Sequence, residues 1–451
     1  MFTTALLFGL STAHADGLSV DYQSYTLDNG LTVILAEDRD LPIVNVNVWY
    51  HVGSKDEPQG RSGFAHLFEH LMFQGSEHSP GEYFERLQEV GGRVNGTTNT
   101  DRTNYFEAVP AEHLPLALWL EADRMGWLLG VLDIEKLDNQ REVVKNERRQ
   151  RYENPPYGEV WVDMMENLYP VGHPYRHPTI GSMDDLSAAS LDDVTDWFKT
   201  WYGPNNASIS IVGDFDTEQA KTLVEKYFGP IPRGPEPAVT TAEPVVLQET
   251  RVVRQIEEGV PFEKVWLAWH SPALMEEGDA DLDVLSSALS SGKDSRLHRR
   301  LVHELQIAKS VEAYQISRQL AGVYMIEATA AAGHTTDELV AEIDKVLAAV
   351  SEEGLTAEEV TNAQTQYEVG FYNRMRTIGQ IGNSLNSYFF FTGEPDSFQK
   401  DLDRFLQVTP ESATEWKNQV LSSERVELHV RPPTAEELAA DDAASEEGGE
   451  P

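Results

Sequence analysis

One alternating run occurs twice in this chain, and it limits the possible folds more than any other feature. Ile43-Val44-Asn45-Val46-Asn47-Val48-Trp49-Tyr50 places apolar side chains at every second position, the period of a strand with one face in a core. Lys264-Val265-Trp266-Leu267-Ala268-Trp269-His270 repeats the pattern in the second half. The neighbouring elements repeat in order as well. In the first half the pattern predicts strands over 32–35 and 43–50, an apolar helix, a helix over 81–90 and strands over 94–100 and 103–109. Helices follow over 111–129, 133–150 and 191–201, the last with Ser190 as N-cap, and a strand over 207–214 closes the unit. Residues 230–244, rich in Pro, Thr and Ala, read as a linker. The second half then predicts a strand over 264–270, helices over 280–289 and 296–305, strands over 311–318 and 322–329, and a helix over 336–350. The likeness lies in the order of elements more than in residue identity. A chain of 451 residues is in any case too long for one ordinary core.

The two halves differ where the first helix should lie. In the first half it reads Phe64-Ala65-His66-Leu67-Phe68-Glu69-His70-Leu71-Met72-Phe73, an H-x-x-E-H arrangement in an apolar run. Residues four apart on a helix share a face, so His66 and His70 can present two imidazoles to one ion. Glu69, three residues after His66, points to roughly the same side. Two neutral nitrogen donors with a free carboxylate beside them are what metal-assisted hydrolysis needs. The corresponding helix of the second half, over 280–289, contains neither His nor Glu.

A catalytic zinc site usually takes three protein ligands. The third is expected from residues 133–150, a helix of long straight-chain residues without Gly or Pro, in which Leu137, Val143 and Val144 form a sparse apolar stripe. Glu147 is the candidate on this helix and Glu142 the alternative. His173 and His177 lie in a Pro-rich setting that suits a packed loop. His51, His78 and His113 lack ligand-like spacing.

Composition narrows the rest. There are no cysteines, so disulfides and thiol catalysis are excluded and a bound metal must use His and carboxylate ligands. The net charge of −40 argues against nucleic-acid phosphate as a partner and describes a uniformly acidic surface. No apolar run is long enough for a transmembrane segment. The run 2–10, followed by Ala13-His14-Ala15, resembles the back half of a secretory signal cleaved near Ala15, although the usual positive residues ahead of it are missing. Export without disulfides fits a bacterial periplasm. The acidic, aromatic-free tail over 434–451 is expected to be disordered.

His66-Leu67-Phe68-Glu69-His70 together with Asn146-Glu147-Arg148-Arg149, at the separation seen here, resembles the pitrilysin/insulinase family of zinc metallopeptidases in its processing-peptidase-like branch. Gly91-Gly92-Arg93-Val94-Asn95-Gly96-Thr97-Thr98 and His173-Pro174-Tyr175-Arg176-His177-Pro178-Thr179-Ile180-Gly181 extend the likeness. The resemblance implies an α+β fold of two similar domains, each a mainly antiparallel sheet packed against helices, joined by a linker. It implies a catalytic domain over 16–229 after a signal over 1–15, a linker over 230–258 and a metal-free homologous domain over 259–433. It also implies one Zn2+ per chain on His66, His70 and Glu147, with Glu69 as general base. A peptide substrate would lie between homologous domains, along a strand that includes Asn95, Gly96 and Thr97; Gly96 would let a backbone approach closely. Gln140 stands where some relatives carry a second Glu that supports catalysis.

Active relatives also carry an Arg and a Tyr seven residues apart in the second copy, near the substrate carbonyl. Here Val302 and Lys309 stand at those positions, and neither does the same job. The resemblance therefore implies a zinc-bearing subunit that needs a homologous, zinc-free partner supplying the Arg/Tyr pair. Two other readings are a non-catalytic structural subunit of the same fold and a periplasmic peptide-binding protein with an accidental motif.

Overall fold

A computed structural model describes residues 17–438, so the expected signal over 1–15 lies outside the described residues. The first half runs β1 (Gln23–Thr26), β2 (Thr32–Glu37), β3 (Ile43–Tyr50), α1 (Phe64–Leu71), α2 (Tyr83–Gln88), β4 (Arg93–Thr98), β5 (Thr103–Pro110), α3 (Leu114–Trp127), α4 (Ile134–Arg148), α5 (Val160–Leu168), α6 (Met183–Ala188), α7 (Leu191–Trp201), β6 (Ala207–Gly213) and α8 (Thr217–Phe228). The second runs β7 (Arg251–Ile256), β8 (Lys264–Ser271), α9 (Asp279–Ser290), β9 (Ala308–Ile316), β10 (Gly322–Ala330), α10 (Thr336–Glu353), α11 (Ala357–Arg374), α12 (Ile378–Thr392), α13 (Phe398–Leu406), α14 (Pro410–Leu421) and β11 (Val426–Arg431).

The predicted α+β architecture of two similar, mainly antiparallel sheets is the one observed. One sheet has the order β1-β2-β6-β3-β5-β4 and the other β7-β11-β8-β10-β9. Apart from the extra strand β1 the orders correspond, and in each sheet one pair is parallel, β2 with β6 and β7 with β11. The alternation of β3 sorts its side chains between two layers. Val44, Val46, Val48 and Tyr50 enter a core with the helices of their own half. Asn45 and Asn47 turn to the opposite face, where α12 of the second half lies.

That crossing is reciprocal. Leu385, Tyr388 and Phe398 pack on Ile34, Ala36 and Val212 of the first sheet. Val160, Met164, Met165 and Leu168 of α5 pack on Trp266, Ala268, Met325 and Leu428 of the second. Counted from the β-hairpin of each half, α5 and α12 hold the same place in the order, so the repeated plan is closed by exchanging equivalent helices. Asn386 ties polar groups together across the crossing. The Asn386 Nδ2 donates to Asn47 O at 2.8 Å and to Ser210 Oγ at 3.0 Å, and Ser208 Oγ donates to Asn386 Oδ1 at 2.8 Å.

Three expectations change. The linker span 230–258 ends in strand β7, whose Arg251-Val252-Val253-Arg254-Gln255-Ile256 pattern is charged enough only for a sheet edge. The helix over 296–305 is a π-helical turn over His298–Glu304. At the start of the expected tail, Thr434 and Glu437 cap each other's backbone and Glu437 pairs with Arg431 at 2.7 Å, which orders the turn as far as Leu438; the rest of that tail, 439–451, lies outside the described residues. No helix among the described residues is long and apolar enough to cross a membrane.

Asn386→Leu would leave the Asn47 carbonyl and the Ser208 hydroxyl buried with a partner removed. It is expected to lower the unfolding free energy by about 2–4 kcal/mol, at about 1–3 kcal/mol per orphaned group, measurable by urea titration.

Candidate metal and catalytic site

Helix α1 is buried on nearly every side: Phe64, Ala65, Leu67, Phe68 and Leu71 all lie in the core. Only the stripe around Glu69 and His70 is half-exposed. Helix α4 packs across α1 through Leu137, Gln140 and Val144, and one further turn brings Glu147 onto the same face. Val143, expected on the apolar stripe, is 41% exposed instead, and Gln140 takes that inward place. Asp133 caps α4, accepting from Lys136 N at 2.9 Å.

The structure brings His66, His70 and Glu147 together, their candidate ligand atoms all within 4.8 Å of one another. Glu147 Oε2 is 3.3 Å from His70 Nε2 and 3.7 Å from His66 Nε2. The two imidazoles meet nearly edge-on at 81°. Burial, with His70 beside it, drives the His66 pKa down to about 4, which keeps that ring neutral and its nitrogen lone pair free. Glu147 is pulled below its usual range by the hydrogen bond with His70, with smaller help from His66 and Arg151. Two imidazole nitrogens and a carboxylate oxygen thus converge on one small space, and a divalent cation there would replace the proton between His70 and Glu147. Its N, N, O donor set suits zinc. Glu142, the alternative ligand, instead turns to Lys145 at 3.1 Å on the solvent side.

Glu69 stays outside the donor set. Its Oε2 accepts from Thr98 Oγ1 of β4 at 2.6 Å, and burial above all raises its pKa over the ordinary carboxylate value. It is a better proton acceptor than an exposed carboxylate would be, with one oxygen fixed and the other free. Strand β4 is the outer strand of its sheet. Asn99 N donates to Arg102 O across the hairpin end at 3.0 Å. From that pair, antiparallel alternation turns the backbone of Asn95 and Thr97 toward β5 and that of Val94, Gly96 and Thr98 toward the free edge. Of the three expected peptide-contacting residues, only Gly96 therefore offers its backbone outward. Its lack of a side chain also suits the packing inside the sheet: a Cβ there would come within 3.1 Å of Phe73 and Tyr105.

Arg151 and Arg102 were missed by sequence reading. Arg151 Nη1 lies 2.7 Å from Glu147 Oε1, leaving Oε2 to face the imidazoles; its position four residues on was a legible signal. Arg102, which faces Glu69 electrostatically, donates to Thr97 O at 2.8 Å and lies over the Trp49 ring at 5.1 Å, with no sequence pattern to mark it. In the second half, Val302 packs against the core and Lys309 lies over the Phe262 ring at 3.3 Å. His173 stacks on Tyr169 at 4.3 Å, and its Nδ1 accepts from Tyr175 N.

Residues 32–173 match the family profile described as insulinase (peptidase family M16), and residues 188–367 match the one described as peptidase M16 inactive domain. The chain belongs to the insulinase, or pitrilysin, family. It is similar to the zinc protease PqqE of Helicobacter pylori, 29% identical over 404 residues, which cover 86% of this chain and 89% of that protein. The crystal structure of a protease from Helicobacter pylori has a TM-score of 0.85 at 26% identity, covering 92% of this chain and 100% of that one. A Pseudomonas fluorescens structure described as a peptidase M16 inactive domain has a TM-score of 0.81 and covers 92% of this chain and 99% of that one; at 18% identity it speaks for the fold alone.

Glu147→Gln removes the charge of one donor, and His70→Ala removes another donor outright. Both are expected to lower zinc content from one per chain to near zero after dialysis against a weak chelator, while far-ultraviolet circular dichroism stays unchanged. Arg151→Ala should keep zinc but weaken its affinity about tenfold in a competition titration.

Proposed function

We propose that this chain is a zinc-dependent endopeptidase subunit that hydrolyses peptides or unfolded segments. The observation that carries the reading is the meeting of His66, His70 and Glu147 around one point, with Glu69 beside them and held by the edge strand. One zinc ion per chain on these three donors would polarise a peptide carbonyl and acidify water at the site. Glu69 takes a proton from water on the carboxylate oxygen that Thr98 leaves free and passes it to the leaving amine. Thr98 holds the carboxylate plane during that transfer. The free backbone groups of Val94, Gly96 and Thr98 bind an extended peptide by strand addition, and the side chains of Asn95 and Thr97 line the adjoining face of the sheet.

The catalytic unit in this reading spans 16–229, and 259–433 is its metal-free counterpart. Val302 and Lys309 leave the chain without the Arg/Tyr pair that active relatives carry, so a homologous zinc-free subunit supplies it. The likeness of the N-terminal segment to an export signal supports work in the periplasm.

Glu69→Gln is expected to retain one zinc per chain and lose about 100- to 10 000-fold in kcat, measured with a quenched fluorescent peptide. A variant that stays active would remove Glu69 from the base role. The purified zinc-loaded chain is expected to cleave peptides poorly alone and well with the Arg/Tyr-bearing subunit added. Full activity alone would remove the partner from the reading. Zinc at one per chain without cleavage in either assay would make this a non-catalytic subunit.

A further inference from the structure

The loop ahead of α1 holds a carboxylate that the reaction does not use. Glu57 is completely buried, its side chain 0% exposed. Its Oε2 accepts from Gly63 N at 2.9 Å and its Oε1 from Ala65 N at 2.8 Å. Those N–H groups lie at the start of α1, where a helix has no carbonyls of its own to offer. His66 follows Ala65 directly, so the carboxylate grips the helical turn that carries the first imidazole. Nothing on α1 can replace it: the N-cap is Gly63, which has no side chain. Gly63 cannot readily become a capping residue either, since its φ is +93° and a Cβ would approach Ile180 O to 2.7 Å.

The same loop reaches the other side of the site. Ser54 N donates to Asn99 O at 3.1 Å and Lys55 N to Thr100 O at 2.9 Å, on the hairpin whose strand carries Thr98. Asp56 Oδ2 accepts from Gly53 N at 2.9 Å and keeps the loop in one conformation. One short segment thus links the strand that holds Glu69 to the helix that carries His66. His177 approaches from a distant loop, its Nδ1 3.5 Å from Glu57 Oε2 and 3.4 Å from Pro178 O. This gives the histidine of the Pro-rich loop a place in the architecture that its sequence setting did not reveal.

We propose that Glu57 is a positioning residue for the metal helix, fixing His66 through the N–H groups of Gly63 and Ala65, and that His177 orients its carboxylate. The proposal rests on the reading of His66, His70 and Glu147 as a zinc site. The test measures zinc affinity by competition with a chromophoric chelator, the visible spectrum of the cobalt-substituted protein, and the Tm of the metal-free protein. Glu57→Ala should raise the zinc Kd about 10- to 100-fold and alter the cobalt spectrum. Glu57→Gln, with one acceptor oxygen in place of two, should raise it about 3- to 10-fold, and it carries the test if the alanine variant does not fold. His177→Ala should give a smaller rise in the same direction. Leu285→Ala, in the core of the other half, serves as the control: it lowers Tm and should leave zinc affinity unchanged. Wild-type affinity in both Glu57 variants would overturn the proposal, as would an equal affinity loss in Leu285→Ala. A wild-type chain that binds no zinc would defeat the metal reading itself, and the two failures are thereby distinguished.

Discussion

The packing of α4 across α1 is the contact on which the site depends. α1 supplies two imidazoles one turn apart, a geometry that any helix can offer. The third donor must come from an element far away in sequence, and its position is set by an ordinary inward stripe, Leu137, Gln140 and Val144, carried one turn further to Glu147. Two kinds of interaction share one helix face. The apolar part fixes the distance between the helices, and the carboxylate at its end inherits that distance. Arg151 on the outer side then decides which carboxylate oxygen faces inward.

Behind this contact stands the exchange of equivalent helices. α5 covers the sheet of the second half and α12 that of the first, so each sheet is buried on both faces only while the whole chain is folded. A sheet with two apolar faces is costly to expose. The second half is therefore a structural necessity for the first, whatever else it contributes. The Asn386 network makes the crossing specific as well as tight, because a shifted α12 would strand buried polar groups of Asn47, Ser208 and Ser210.

How much of this was legible depended on distance along the chain. The strand over 43–50 and the helix over 191–201 were readable because alternation, helical period and a Ser190 cap are local signals, and the structure has them at Ile43–Tyr50 and Leu191–Trp201. The pair His66 and His70 was visible for the same reason. Glu147 was preferred to Glu142 from the helix itself, but only the family resemblance raised it above an ordinary solvated glutamate, since on a charged helix one glutamate looks like another until a packing partner is known. Thr98 was marked only as the end of the Gly91–Thr98 stretch that resembles the family; its contact with Glu69 was not legible, because that partner sits on a helix 29 residues earlier. α5 and α12 were missed because their apolar faces serve the opposite half. The packing reason for Gly96 was hidden for a related reason, as the space it leaves is bounded by Phe73 from within.

The two halves also show why only one of them offers a ligand site. In the second half α9 occupies the place of α1 and likewise buries a charged residue, Asp279, at 1% exposure. That carboxylate is fully provided for within the chain. It accepts from Met275 N at 3.0 Å, Gln315 Nε2 at 2.6 Å and Ser317 Oγ, and it pairs with Arg404 at 3.0 Å. Among the described residues of the first half, His66, His70 and Glu147 bring their ligand atoms within 4.8 Å of one another, and the Arg151 ion pair occupies only the outer oxygen of Glu147. Two imidazoles and a carboxylate at that separation can give up the proton between them for a cation. The second copy thus pairs the carboxylate at the start of its helix with an internal arginine, whereas the first gathers two imidazoles and a carboxylate along its helix, and this difference separates a structural element from a site.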